Sequence, residues 1–266
     1  IVEAGADADS LIYTFAMTTQ STTDVLFTVK SLLAAPLAEG GLPPVISVSD
    51  AGYNVAQAFA GQGMTLSPEL TALYSTAQIY NGSVTLPYYL GVPTAENPMA
   101  PVNEWWKSLC DSGAMLAGLA AANPGAIPPD AIEGSVSDAT CIAVSKAAGL
   151  PAPGLRDLSS IMELDVERNL TKYSPVPAPR TMDAIDVQMT NPVISTNTDA
   201  VRANYGLPPL TEIPEGGWPV VILQHGITSK KEDMLAITGV LSTFGFATVA
   251  IDHPLHGSRG FDLNGD

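Results

Sequence analysis

The chain has 266 residues, which exceeds a typical single domain and predicts one large or two modest domains. Hydrophobic residues make up 46% of it, enough for a sizeable core, so the chain as a whole is not of the disordered class. The net charge of −16 argues against nucleic-acid binding, which needs a basic face, and against docking on anionic lipid through charge alone.

Three features bear on export. The sequence has no run of 18 apolar residues, so no transmembrane helix is predicted. Its first residues lack the basic start of a signal peptide, so we expect a mature or trimmed chain, trimmed at the other end as well. Cys110 and Cys141 would most simply pair as a disulfide in an exported protein, although two buried free thiols are the alternative.

The first part of the chain predicts alternating strands and helices. Apolar residues alternate over 10–18, which indicates a half-buried strand, and polar capping residues then open a helix that ends near Leu37. The pattern continues with a strand at 45–49, a helix at 51–61, and a helix at 67–75 that begins with a Ser-Pro cap.

The middle of the chain is rich in Ala, Gly and Pro. Residues 76–91 predict either a hairpin that turns at Asn81-Gly82 or one strand with a glycine bulge. Later helices are predicted near 102–122, 137–148 and 155–167. Trp105 and Trp106 in the first of these are expected in a core, with an acyl-binding surface or a lid as the alternative.

The amino-acid composition changes near residue 174. A strand is predicted at 184–193, followed by the strand WPVVILQ, the turn HGITSKKED, the helix MLAITGVLSTFG and the strand FATVAID. This order is a βαβ unit, so an α/β fold with a parallel sheet is expected. We predict a mixed α+β region over residues 1–174 and an α/β domain over residues 175–266.

Chemistry is expected where the first strand of this unit ends. Residues 220–223 are continuously apolar, as in a strand covered on both faces, and functional groups in such sheets lie at the carboxyl ends of strands. Gly226 allows a sharp turn after His225, which would aim a main-chain N–H group outward to stabilise a developing oxyanion. The second strand ends in DHPLHGSRG, residues 252–260, a polar loop at the same sheet edge.

These two loops resemble the region between the third and fourth strands of the α/β-hydrolase fold. Residues 246–260 are similar to that family's D-x-x-G-H-G-x-S loop, with Leu255 where a Gly is common. The resemblance implies that the backbone N–H of Gly226 or Ile227 belongs to an oxyanion hole and that His225 positions the turn. A strand-end His that merely bonds to the loop is the alternative for His225.

The upstream segments YTFAMTTQSTTDVL, GSVTLPYYL and NLTKYSPVPAPR resemble a narrower group. These are bacterial extracellular lipases and surface lysophospholipases of the virulence-factor type. The resemblance implies a secreted or outer-membrane location in a bacterium, a lipid or ester substrate, and no cofactor.

The nucleophile motif of that family is missing. No G-x-S-x-G occurs in the sequence, and the nearest stretch, His256 to Gly260, follows the wrong strand, so Ser258 is a weak candidate nucleophile. The family order places Ser, Asp and His after residue 266. Asp252, His253 and His256 suggest a metal site only weakly, because no further ligands accompany them.

The sequence therefore predicts an incomplete α/β-hydrolase sheet preceded by a mixed α+β region. The function that follows is hydrolysis of carboxylic esters of lipids or lysophospholipids through a downstream Ser–His–Asp triad. The missing part of the same domain is a candidate partner. The alternative function is a non-catalytic surface binding or assembly module that uses the aromatic and apolar segments around residues 86–122.

Overall fold

The structure, a computed structural model, describes residues 22–122, 125, 138–150, 154–159 and 168–260. The strand predicted at 10–18 lies outside these residues, as does most of the helix predicted at 155–167. The first two residues of that predicted helix form a short strand instead.

Five of the described strands form one sheet in the order β1-β2-β5-β7-β6, and β3 pairs with β4 in a second, two-stranded sheet. Their bounds are β1 (Val45–Asn54), β2 (Ala77–Tyr88), β3 (Asp111–Ser112), β4 (Leu155–Arg156), β5 (Thr181–Pro192), β6 (Val220–Leu223) and β7 (Ala247–Ile251). The pairs β1–β2, β2–β5 and β5–β7 are antiparallel, and β6–β7 is parallel.

The fold is thus mixed α/β with a mostly antiparallel sheet. The predicted βαβ unit is present, but the wider parallel sheet is wrong, because β6–β7 is the one parallel pair among the described strands of this sheet. The strand β6 also differs from the prediction of a strand covered on both faces. It is an edge strand, and Val220 and Ile222 are largely exposed.

Eight α-helices are described alongside these strands: α1 (Thr22–Ala34), α2 (Val55–Gly61), α3 (Pro68–Tyr74), α4 (Ala100–Asn103), α5 (Gly113–Ala122), α6 (Ala139–Ala147), α7 (Thr196–Ala203) and α8 (Leu235–Thr243). The predicted start of α3 is confirmed, since the Ser67 hydroxyl accepts a hydrogen bond from the Leu70 N–H and Pro68 opens the helix. Within the described residues, no helix has the length and apolar character required to cross a membrane.

Two predictions in the middle of the chain are wrong. The hairpin at residues 81 and 82 is absent, because β2 runs through them as the single strand of the other alternative, without the glycine bulge. A Cβ at Gly82 would overlap the β1 backbone at Ser47 and Val48. Glycine is therefore required there for close strand approach rather than for a hairpin. The helix predicted at 102–122 is interrupted, since α4 ends at Asn103 and β3 precedes α5.

The chain divides into two compact units, and the division differs from the predicted boundary near residue 174. One unit combines the described residues up to Gly41 with Lys107–Ala178, and the other combines Leu42–Trp106 with Pro179 onward. In the first unit, the Cys110–Cys141 disulfide lies in a buried cluster with Leu32, Val144 and Leu155. The strands β1 and β2 therefore belong with β5, β6 and β7.

The five-stranded sheet of the second unit has an apolar cluster on each face. Val55, Phe59, Ile79 and Leu235 pack together where α2 and α8 meet the sheet. On the opposite face, Val84 packs against its cross-strand partner Ile185 and against Val187. Val249 and Ile251 of β7 pack against this second cluster, which therefore ties β7 to β5 and fixes the position of the loop that follows β7.

Candidate functional site

The carboxyl ends of β6 and β7 lie side by side and bring two polar loops together. The strands pair in parallel through Leu223 and Ala250, so residues 224–230 and 252–260 leave the sheet at one edge. All three histidines of the chain are in these loops. The ring centroid of His225 lies 4.6 Å from that of His253 and 5.5 Å from that of His256.

His225 joins the two loops. Its Nδ1 lies 2.8 Å from the Gly226 carbonyl oxygen, and its Nε2 accepts a hydrogen bond of 3.0 Å from the His253 N–H. Because Nε2 accepts, the proton belongs on Nδ1, which then donates to Gly226. The side chain is buried and both ring nitrogens are used, so its geometry suits positioning of the turn rather than proton transfer.

Asp252 is the electrostatic centre of the site. Its carboxylate is fully buried and accepts four hydrogen bonds, two from Lys231 and two from Ser258. Burial raises the pKa of Asp252, but the bonds from Lys231 and Ser258 outweigh it and hold the pKa well below its ordinary value. Burial also lowers the pKa of Lys231, and its bonds to Asp252 and Glu232 reverse this into a net rise. Both shifts favour the ion pair, whose Nζ–Oδ2 distance is 2.9 Å.

Ser258 is held by Asp252 and lacks the partner that a nucleophile needs. Its hydroxyl donates to Asp252 over 2.8 Å and lies 3.5 Å from the Lys231 ammonium. In the described part of the chain, no histidine nitrogen bonds to Ser258. A carboxylate with a lowered pKa is a poor base, so this arrangement fixes the loop and does not activate the hydroxyl.

The first loop presents two backbone donors to solvent. The Ser229 N–H donates to the Gly226 carbonyl over 3.3 Å and closes a turn whose third residue, Thr228, has a φ of 65°. Among the residues that the structure describes, no oxygen accepts a hydrogen bond from the N–H of Gly226 or Ile227. Ile227 is 86% exposed, so both donors lie at an open edge.

Thr228, not Gly226, supplies the unusual backbone of this turn. Gly226 has no positive φ, and a Cβ placed on it would meet no atom within 4 Å. A positive φ at a β-branched residue is costly, and such strain is found most often at functional sites. The expected sharp turn is therefore present, but the reason for Gly226 is not a backbone clash.

The second loop depends on a glycine that the sequence analysis did not single out. Gly257 has a φ of 51°, and a Cβ on it would overlap the Asp252 carboxyl group. Lys231 was also missed, because its buried pairing with Asp252 spans 21 residues and leaves no local signal.

A cavity of about 470 Å³ borders the second loop. Its wall includes the exposed apolar side chains Val92 and Met182, together with Leu255 and Arg259. The Arg259 guanidinium lies 5.7 Å from the centre of the Tyr88 ring and donates to the Asp252 carbonyl over 3.1 Å. Leu255 has a φ of 66°, the second non-glycine residue in the left-handed region, so each loop holds one strained residue.

The histidine cluster does not form a metal centre. Within the described ranges, no group of three or more His, Cys, Asp or Glu side chains is arranged to hold a metal ion. His225 is saturated by the loops, and His256 Nδ1 lies 2.9 Å from the Pro254 carbonyl oxygen.

Comparison of the chain with protein-family models, with curated proteins and with solved structures finds no match.

Proposed function

We propose that this chain supplies the oxyanion loop of a carboxylic ester hydrolase. The observation that carries the proposal is the pair of adjacent N–H groups at Gly226 and Ile227, which donate to no other described residue. They follow a strand of a βαβ unit, and such donors stabilise the oxyanion of a tetrahedral intermediate in acyl transfer.

Hydrogen bonds around the turn hold the two N–H donors rigidly. His225 bonds to the Gly226 carbonyl and to the His253 N–H, so it ties the turn to the neighbouring loop. Asp252 in turn holds the second loop through Ser258 and the first through the Lys231 N–H. Donors held in this way need no reorganisation when charge develops on the substrate.

A lipid or lysophospholipid ester is the proposed substrate. The cavity beside the second loop has the size of a small-molecule site, and the apolar part of its mixed wall suits an acyl chain. The resemblance to α/β-hydrolases implies that Ser, Asp and His of a triad lie in sequence that follows residue 266. The disulfide supports a secreted or surface location, because disulfides persist in oxidising compartments.

The test replaces one donor without disturbing the turn. Ile227→Pro removes an N–H that bonds to no described residue, at the second position of a turn, where proline is favoured. Ile227→Ala is the matched control, since it loses the same exposed side chain and keeps the N–H. Both changes are made in the protein that carries this chain together with the sequence that follows it in the gene.

Hydrolysis of p-nitrophenyl esters of several chain lengths is the measurement. We expect Ile227→Pro to lower kcat by about 10²- to 10³-fold, as loss of one oxyanion donor does, with KM little changed. Ile227→Ala should keep kcat near the wild-type value. Equal activity of the two variants would show that the Ile227 N–H is not part of the oxyanion hole. The absence of ester hydrolysis in the parent protein would contradict the proposal as a whole.

A surface binding module is the second candidate function. Trp105 is 80% exposed and Val102 is 56% exposed, and both follow the exposed Val92 and Met99 in the chain. Such a group of exposed apolar side chains favours a protein or lipid contact. Loss of binding to lipid vesicles in Trp105→Ser, with ester hydrolysis absent from the parent, would favour this function over the first.

A further inference from the structure

A second cavity, of about 360 Å³, opens on the face of the sheet that carries α2 and α8. Its polar wall combines side chains from β1, β2, β5, the end of α2 and the 3₁₀ turn Lys231–Met234 that leads into α8. The members used below are Tyr53, Asn81, Asp186, Gln188, Lys231 and Glu232. Asn81 and Gln188 are cross-strand partners, so their amide side chains lie next to each other on this face.

The side chain of Gln188 indicates that this cavity binds a ligand. The residue is only 8% exposed, and its side-chain amide makes no hydrogen bond with any residue that the structure describes. Its amide atoms are not among the fully enclosed polar atoms without a partner, so they face the cavity that the residue lines. A glutamine amide offers two N–H donors and a carbonyl oxygen that accepts, and in Gln188 these groups are open to a molecule in the cavity.

A matched amide elsewhere in the sheet shows the contrast. Gln78, in the neighbouring strand β2, donates from Nε2 to Asp50 over 2.6 Å and does not line the cavity. Gln188 is the more buried of the two and yet has its hydrogen-bonding groups open. A ligand in the cavity would complete them.

The charges on the wall select against an anion. Lys231 is the one cation among the lining residues, and its ammonium lies 2.9 Å from both Asp252 and Glu232. Asp186 and Glu232 add carboxylates that accept hydrogen bonds. With Lys231 paired, the open groups of the wall are two amides and the Asp186 carboxylate, and these suit hydroxyl groups, which donate and accept hydrogen bonds without carrying a negative charge.

We propose that this cavity binds a neutral sugar. Hydroxyl groups both donate and accept, so they pair with the amides of Gln188 and Asn81 and donate to Asp186. The Tyr53 side chain, 40% exposed, offers an apolar ring against the C–H face of the sugar. The cavity volume is in the range of small-molecule sites.

The sugar site shares Lys231 with the network that holds the proposed oxyanion loop, but it contains neither of the two proposed oxyanion donors. None of the lining residues named here is Gly226 or Ile227, and binding is measured without any hydrolysis. Failure of ester hydrolysis would leave the sugar site intact, and failure of sugar binding would leave the oxyanion loop intact.

The test is titration of the ¹⁵N-labelled 266-residue chain with glucose, N-acetylglucosamine and the disaccharide maltose. Glucuronate and glucosamine serve as anionic and cationic controls. The side-chain NH₂ signals of Gln188, assigned with the Gln188→Met variant below, and those of Asn81, assigned with an Asn81→Ala variant, report directly on the cavity. We expect at least one neutral sugar to shift both pairs of signals in a saturable manner, and the anionic glucuronate to bind more weakly than glucose.

Two variants and one control decide the assignment. Gln188→Met keeps the size of the side chain and removes its donors and acceptor, so affinity should fall about tenfold or more. Asp186→Ala, at an exposed position where folding is not at risk, should weaken binding by a similar factor. Gln78→Met should leave affinity unchanged.

Three outcomes would overturn the proposal. The first is that none of the three neutral sugars shifts the Gln188 signals at about 50 mM, which is about 50 times a dissociation constant of about 1 mM. The second is that Gln188→Met and Asp186→Ala both bind as tightly as the parent chain. The third is that glucuronate or glucosamine binds more tightly than every neutral sugar, which would make the site one for charged ligands.

Discussion

The two His-Gly dipeptides of the site place opposite demands on their glycines. A Cβ at Gly257 would overlap the Asp252 carboxyl group, and the φ of 51° is unfavourable for other residues, whereas a Cβ at Gly226 would meet open space. Gly257→Ala should therefore lower the free energy of unfolding by more than about 2 kcal/mol, and Gly226→Ala should change it by less than about 0.5 kcal/mol. Urea denaturation of the two variants measures this, and similar losses would contradict the geometry at Gly257.

The buried Asp252–Lys231 pair makes a separate prediction. Asp252→Asn leaves the Lys231 ammonium buried without its main counter-charge, which should cost about 3–5 kcal/mol of stability. Asp186→Asn is the control, because that carboxylate is exposed and makes no hydrogen bond within the described residues, and it should cost less than about 0.5 kcal/mol. Equal unfolding curves for the two variants would show that the pair adds no stability.

The same carboxylate gives stability a pH dependence of known sign. The pKa of Asp252 is lower in the folded chain than its ordinary value of 3.8. Its contribution to the free energy of unfolding is therefore fully present above pH 3.8 and is lost as the pH falls below that value. The pKa of Lys231 is raised, so its contribution is complete below the ordinary 10.5 and is lost above it. Stability measured against pH should fall less steeply below pH 4 in Asp252→Asn than in the parent chain. An identical acid limb would mean that other carboxylates dominate.

At the level of single residues, the sequence predicts the position of those functional groups that belong to a local motif. His225, Gly226 and Ile227 follow an apolar run, so their place at a strand end could be predicted. Lys231 and Gly257 could not, because their roles depend on contact with Asp252, which forms only when β6 and β7 pair.

At the level of elements, β6 is an edge strand with an apolar, uncovered side. Ile222 is 81% exposed and Val220 is 55% exposed, and an exposed apolar edge favours self-association. Ile222→Lys should lower the association of the 266-residue chain without a loss of stability, as followed by light scattering over a concentration series. Ile213→Lys adds the same charge at an exposed loop position and should have a smaller effect. Equal effects of the two would attribute the change to charge alone.

The strands also show where local patterns succeed and fail. The βαβ unit over residues 220–251 was predicted, because strand, turn, helix and strand follow each other with clear periodicity. The Asn81-Gly82 dipeptide predicted a hairpin, but its glycine serves the close approach of β1, a contact 35 residues away along the chain at Ser47. The apolar run of β6 predicted burial, yet hydrophobicity alone does not tell a central strand from an edge strand.

At the level of the whole molecule, the two compact units are interleaved in sequence. A composition shift near residue 174 is a local property, and it lies only a few residues from the point where the chain returns to the second unit at Pro179. The earlier crossing between Trp106 and Lys107 falls inside a stretch that was predicted to be one helix. Long-range strand pairing decides this organisation, because β2 joins β5 across about 100 residues, and no window of sequence contains that information.

The disulfide belongs to the first unit alone, which makes its contribution measurable locally. Cys110 and Cys141 are 31 residues apart and both are buried, so opening the bond should cost about 3–4 kcal/mol in the chain-entropy model. Native-state hydrogen exchange should show faster exchange of α6 peptides in the Cys110→Ala/Cys141→Ala variant than in the oxidised chain. Peptides from β5, in the other unit, are the internal reference.

Reduced but unmutated chain should match the variant, because both lack the same loop closure. Unchanged α6 exchange in both would mean that the buried cluster around Leu32 and Val144, rather than the disulfide, holds the helix in place.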